Sequence, residues 1–104
     1  MDTAQLILDI KARFAHNSAK AYLKDKYSSK LIVAEQGGLW TASPEILSFL
    51  SAAANSATKK VIIIDNFDNP VEVNVIPLLN VLSETYSVVM KEWNAEWESL
   101  ESKR

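Results

Sequence analysis

Leu78, Leu82, Tyr86, Val89, Trp93, Trp97 and Leu100 recur at spacings of four, four, three, four, four and three. That rhythm puts seven apolar side chains on one side of an α-helix. The stripe runs for about six turns and ends in two tryptophans set among glutamates, in KEWNAEWESL. A helix of this length outruns a small sheet. Whatever else the chain folds into must therefore cover Trp97 and Leu100 as well, and two coverings are open: the first helix folding back, or a second copy of the chain.

The remainder of the chain supplies shorter elements. Its 104 residues predict one domain spanning 1–104, and only two Gly and three Pro favour long regular elements over loops. Residues 3 to about 27 lack both breakers and predict a helix, with Ile7, Ile10 and Phe14 facing the core. Ala12, Ala15, Ala19, Tyr22 and Leu23 form a second ridge of mostly small side chains, and Asn17-Ser18 is a weak point where the helix could bend or restart. KLIVAEQGGLWTA reads as strands over 31–34 and 39–42 joined at Gln36-Gly37-Gly38. Ser43-Pro44 opens a helix to about residue 54, with Ile46, Phe49, Leu50 and Ala53 inward and Asn55 as a left-handed terminator. The β-branched run VIII at 61–64 predicts a central strand covered on both faces. After the turn cluster NFDNP, PVEVN predicts an edge strand with Val71 and Val73 inward and Glu72 outward. Asn74 opens the last helix, with Pro77 inside its first turn. The expected fold class is α+β: an N-terminal helix, two β-hairpins forming a small antiparallel sheet with a helix between them, and a long C-terminal amphipathic helix.

Composition closes off several chemistries. With 48% hydrophobic and 23% charged residues the chain is not disordered in type, and the absence of cysteine removes disulfides, thiolate nucleophiles and cysteine-built metal sites. Asp2 and Asp9 stand where a secretory leader would be basic or apolar, so a cytoplasmic protein with no membrane segment is expected. His16 is the sole histidine, which excludes a His-based triad or a multi-histidine metal site, and it is expected on the solvated surface. Asp65, Asp68 and Asn69 could approach a divalent cation, but with no glycine at the bend and no closing glutamate they read as a turn. Gly37-Gly38 precede a strand rather than a helix, which favours a hairpin over a phosphate loop, with Trp40 partly exposed beyond it. No acid/base dyad or activated nucleophile is visible, so the chain is expected to be no enzyme and to need no cofactor, metal or small-molecule substrate.

Charge is distributed unevenly. The net value is −2, yet residues 1–60 hold eight Lys/Arg against five Asp/Glu, and residues 61–104 hold three against eight. Lys11, Arg13, Lys20 and Lys24, extended by Lys26 and Lys30, form the candidate nucleic-acid contact, although Asp9 and Asp25 interrupt the run and no aromatic platform accompanies it.

The stretches GGLWTASPEILSFL, VIIIDNFDNPVEVN and LLNVLSETYSVVMKEW resemble small uncharacterised proteins of contractile-tailed phages of marine cyanobacteria. The resemblance spans about the last two-thirds of the chain. It implies a phage accessory or virion-assembly protein, and it brings no catalytic residues with it. Some such proteins are similar in fold to Sm-like barrels, a helix followed by a bent antiparallel sheet. An Sm-like bent barrel with added helices is therefore the alternative fold, from which the helix at 44–54 and the terminal helix depart. Residues and resemblance together predict a non-enzymatic interaction or assembly module, a homo-oligomer and first of all a dimer, or else a module that binds another protein. Its expected interface is Tyr86, Val89, Trp93, Trp97 and Leu100. The alternative is a nucleic-acid-associated module using the basic first helix.

Overall fold

The computed structural model describes residues 3–102; Asp2, used in the argument against a leader, and Lys103 and Arg104, counted in the charge balance, lie outside them. The element order is α1 (Thr3–Lys30), β1 (Ile32–Glu35), β2 (Gly38–Thr41), α2 (Pro44–Asn55), β3 (Lys60–Ile64), β4 (Pro70–Asn74) and α3 (Val75–Ser102), an α+β arrangement. α1 continues unbroken through Asn17-Ser18 and stops three residues later than expected. The molecule extends 65 Å along its long axis and only 25 and 18 Å across it. The two hairpins, α2 and the first half of α3 build a head, from which α1 and the rest of α3 project as an antiparallel pair.

Each hairpin is a separate two-stranded ladder, β1 with β2 and β3 with β4. Among the described residues no continuous bent sheet forms, so the barrel alternative is set aside. Register Glu35↔Gly38 leaves Gln36 and Gly37 as the two turn residues, one position earlier than the sequence suggested for the strand that follows. Both carry positive φ, 49° and 79°, the mirror-image turn whose twist matches a two-residue hairpin. The Ala42 N–H donates to the Leu31 carbonyl at 2.8 Å and lengthens this ladder by one further pair.

The hairpins are joined by side chains where a sheet would use backbone. The Gln36 amide pairs with the Asn74 backbone, accepting from its N–H at 2.7 Å and donating to its carbonyl at 3.1 Å. Leu39, whose N–H and C=O face away from β1, donates to Asp65 Oδ2 at 3.2 Å and accepts from the Asn66 N–H at 2.8 Å. Asp65 Oδ1 also accepts from the N–H groups of Phe67 and Asn69, at 2.9 and 3.0 Å. One carboxylate thus closes the β3–β4 turn and ties it to β2. These bonds hold the Asp65 carboxyl below the usual carboxylate range, the Asn69 N–H contributing most and the Leu39 and Phe67 N–H groups adding to it against the opposing effect of burial.

The head's core is Trp40, Ala42, Leu50, Val73, Val75, Leu78 and Leu82. Fully burying each of the larger aliphatic side chains contributes about 1.5–3 kcal/mol. Trp40 is 1% exposed, not half-exposed as its place beside a turn implied; its indole lies across Gly38 and donates to the Glu35 carbonyl at 2.8 Å. Val73 is buried, Val71 is half-buried and Glu72 is exposed, as the alternation required.

Two core expectations fail for one reason. Ile62 and Ile64 are exposed, because a two-stranded ladder has only the core to cover one face and no layer on the other. Phe49 is exposed as well, since α2 packs on α3 through Leu50 with Ile46, Leu47, Ala53 and Ala54, one side of the helix only.

α2 begins as expected, with Ser43 accepting from the Ile46 N–H and Pro44 in the first turn. Its end differs. The left-handed residue is Ala57, φ 58°, not Asn55. The Thr58 N–H donates to Ala53 and the Ala57 N–H to Ala54, the paired bonds of a Schellman cap whose pivot normally carries glycine. An L-residue with a β-carbon in that conformation costs about 1–2 kcal/mol. Ala57→Gly is therefore expected to raise the unfolding free energy by roughly 1 kcal/mol, read as a higher urea midpoint at unchanged slope; a lower midpoint would contradict the cap.

Candidate interaction surfaces

The far half of the α3 stripe is covered by α1 of the same chain. Leu23, Tyr27 and Val89 form a second buried cluster, with Trp93, Trp97, Leu100 and Leu31 packed against it. Tyr27 stacks on Trp93 with ring centroids 5.9 Å apart and planes tilted by 14°. Of the five residues expected as an interface, Val89 is buried and the other four are half-buried. Tyr86 joins the head core, and Val89, Trp93, Trp97 and Leu100 join the α1–α3 seam. Of the two coverings that the sequence left open for Trp97 and Leu100, the folded-back first helix is the one observed.

A polar cluster flanks this seam. Glu96 Oε1 accepts from Lys26 Nζ at 2.6 Å and from the Tyr27 hydroxyl, while Lys30 Nζ lies 3.6 Å from Glu92. The Lys26 bond, then the Tyr27 bond, hold the Glu96 carboxyl below its ordinary range. The same contacts to Glu96 raise both the Tyr27 phenol and the Lys26 ammonium. All three stay in their usual neutral-pH forms, so the trio fixes helix register and supplies no acid or base poised near neutrality.

His16 departs from its expected surface place. Its side chain is 15% exposed, with Nε2 3.6 Å from Glu101 Oε1 and its ring 5.9 Å from that of Trp97. The contact marks where α1 passes the last described turn of α3. Before it, roughly three and a half turns of α1, about 20 Å of helix, project as a single arm. Ile7, Ile10 and Phe14 lie on this arm and are 47%, 56% and 73% exposed, which overturns their expected place in the core. At 100° per residue Phe14 stands opposite Leu23, half a turn around α1 from the face that meets α3. Position along the helix and position around it both leave the stripe outside. The small-residue ridge is likewise used only at Leu23, buried, and Ala19, half-buried; Ala12, Ala15 and Tyr22 are exposed.

The basic residues do not converge. Arg13 pairs with Asp9 at 3.1 Å, and Lys20 Nζ sits 5.8 Å from the centroid of the Trp97 ring. Arg13, Lys20 and Lys24 share one side of α1 by their spacings of seven and four, whereas Lys11 points nearly opposite to Arg13. The head carries a second exposed apolar group, Ile62, Ile64 and Phe67. Among the described residues no group of three His, Asp or Glu could hold a metal ion; all three backbone donors that reach Asp65 are in turn or inter-hairpin bonds, and Asp68 sits in the turn with φ 63°. Among the described residues, too, no helix is long and apolar enough to cross a membrane.

Set beside known proteins, the chain matches no family model, no curated protein and no solved structure. Its surfaces must speak for themselves. The arm was hidden from sequence reasoning because helical periodicity groups residues on a side without saying what faces that side. Two stripes half a turn apart on α1, one at 7, 10 and 14 and another at 16, 20, 23 and 27, are the signal that separates them.

Proposed function

We propose that the protein is a non-enzymatic assembly module of the cytoplasm that associates with itself through the projecting arm of α1. The observation behind this reading is the stripe of Ile7, Ile10 and Phe14, exposed on the helix segment that projects beyond the seam with α3. An isolated helix of this length is marginal in water, and a contiguous apolar patch on a folded protein marks an interaction site. The interface therefore moves from α3, whose stripe the chain covers itself, to the outer face of α1. An accessory or virion-assembly role in a phage accords with such a module and with the textural resemblance of its last two-thirds. Nucleic-acid binding by α1 is the weaker reading: Arg13, Lys20 and Lys24 share one side, but Lys11 faces away from them, Arg13 is paired with Asp9 and Lys20 lies over Trp97.

Sedimentation at micromolar concentration tests the reading. The wild type is expected to run at about twice the chain mass. Phe14→Glu, a change at an exposed position that the fold should tolerate, is expected to run as a monomer whose melting midpoint no longer rises with protein concentration. A wild-type monomer at every concentration sampled would remove the proposal.

A further inference from the structure

The outer stripe of α1 does not stop with the arm. Ile7, Ile10, Phe14, Asn17 and Ala21 follow spacings of three, four, three and four, the alternation of a two-stranded coiled-coil seam. All five are exposed, and α1 is continuous beneath them. Half to three-quarters of each large side chain is free. With Leu6 beside them, they offer on the order of 400 Å² per copy, so a closed pair buries about 800 Å² in all, the size of a weak and reversible contact.

Flanking charges discriminate between orientations. In a parallel, in-register pair the residue before each first core position meets the residue after the following second one on the partner helix. Leu6 then faces Lys11, Arg13 faces Ser18, and Lys20 faces Asp25 of the other copy, twice over by symmetry. Lys24, at the core position after Ala21, meets its own copy at the end of the seam; no other like charges meet, and Asp25, which makes no ion pair among those of the described residues, gains an opposite charge. An antiparallel pair centred to bury Phe14 against Ile10 sets Arg13 against Arg13 and Lys11 near Lys11. Like charges across a seam are destabilising.

We infer that the second copy docks on α1 as a parallel, in-register helix, with Ile7, Ile10, Phe14, Asn17 and Ala21 in the seam and Lys20–Asp25 pairs at its margin. This rests on the self-association proposed above and specifies its geometry. The α3 helices then lie outside the pair, on the far sides of the two α1 helices. Asn17 places one polar layer in the seam, where two side-chain amides can bond only when the copies are in register.

Because the chain has no cysteine, single-cysteine variants test the arrangement. Ala21→Cys is expected to bring two thiols within disulfide reach and to cross-link most chains under mild oxidation. Ala95→Cys, exposed on α3 away from the seam, is expected to form no covalent dimer in the same treatment. Phe14→Glu added to Ala21→Cys should abolish the cross-link, and Asp25→Lys should weaken association several-fold while the same change with Lys20→Asp restores it. If the wild type sediments as a dimer but Ala21→Cys does not cross-link, the parallel pairing is wrong and self-association stands. A wild-type monomer would overturn both, and a monomer that co-sediments with anionic phosphatidylserine vesicles would assign the arm to a membrane surface instead.

Discussion

Alanine at Gly38 is expected to lower the unfolding free energy by about 3 kcal/mol, at the upper end of what overpacking a core by one methyl group costs. A β-carbon at this position would lie 2.5 Å from Cζ2 and 2.8 Å from Cε2 of Trp40, so the indole must move. It has nowhere to go. The ring is 1% exposed, belongs to the cluster that includes Ala42, Leu50 and Leu78, and is held by its bond to the Glu35 carbonyl at 2.8 Å. Displacing it breaks that bond as well as the packing, which is why the expected cost lies at the upper end of that range.

The neighbouring glycine provides the control. Gly37 has no heavy atom within 4 Å of the place a β-carbon would take, but its φ is 79°. Gly37→Ala is thus penalised by backbone conformation alone, roughly 1 kcal/mol. Urea titrations of the two variants should differ by about 2 kcal/mol, and Gly38→Ala should also change the near-ultraviolet circular dichroism of the indole. In a Trp40→Leu background, where the ring is gone, the cost of Gly38→Ala should shrink, giving a coupling energy of the size seen for residues in contact. Equal costs for the two glycines would show that the indole yields freely, contrary to this packing.

The features that were legible in the sequence are those that a local rule decides. The α3 stripe is one: from Leu78 to Leu100 its spacing names the inward side, and the structure buries or half-buries all seven members. Ser43-Pro44 at the start of α2 and the glycines of the first hairpin are others, since caps and two-residue turns are chosen by the residues within them. What escaped depends on neighbours far along the chain. Ile62 and Ile64 read as doubly covered because a run of β-branched residues shows hydrophobicity and not the number of layers available to bury it. His16 is half-buried by Trp97 and Glu101, some eighty residues away, and no local pattern predicts that. Trp40 was the recoverable error: Gly38, Trp40 and Ala42 share one side of β2 at period two, all three buried, and a large residue between two small ones signals a ring folded inward. The amide clamp from Gln36 to Asn74 carries no signature at all, because any exposed glutamine looks the same in sequence.

The coupling of the two hairpins through Asp65 makes the last prediction, and it has a pH signature. Asp65 is 7% exposed and accepts from Leu39, Phe67 and Asn69. Asp65→Ala leaves three donors without their acceptor, two at the turn, where water can replace it, and one at half-buried Leu39, where replacement is poorer. The melting midpoint is expected to fall by on the order of 10 °C for a chain of this size. Asp65→Asn should fall less, because one oxygen can still serve Phe67 and Asn69 while the new amide donor is set against the Leu39 N–H. Folding lowers the Asp65 pKa, so its contribution is complete above the unfolded value and disappears as pH drops through the folded one. Wild-type melting points measured from neutral pH down to about pH 3 should therefore decline in the acid range. Glu96, lowered in the same direction, adds to that slope in every variant, which makes the difference between wild type and Asp65→Asn the informative quantity. That difference should be largest at neutral pH and narrow on acidification. Were it constant across the range, the loss would come from packing at the turn, and the charge on Asp65 would have no part in joining the hairpins.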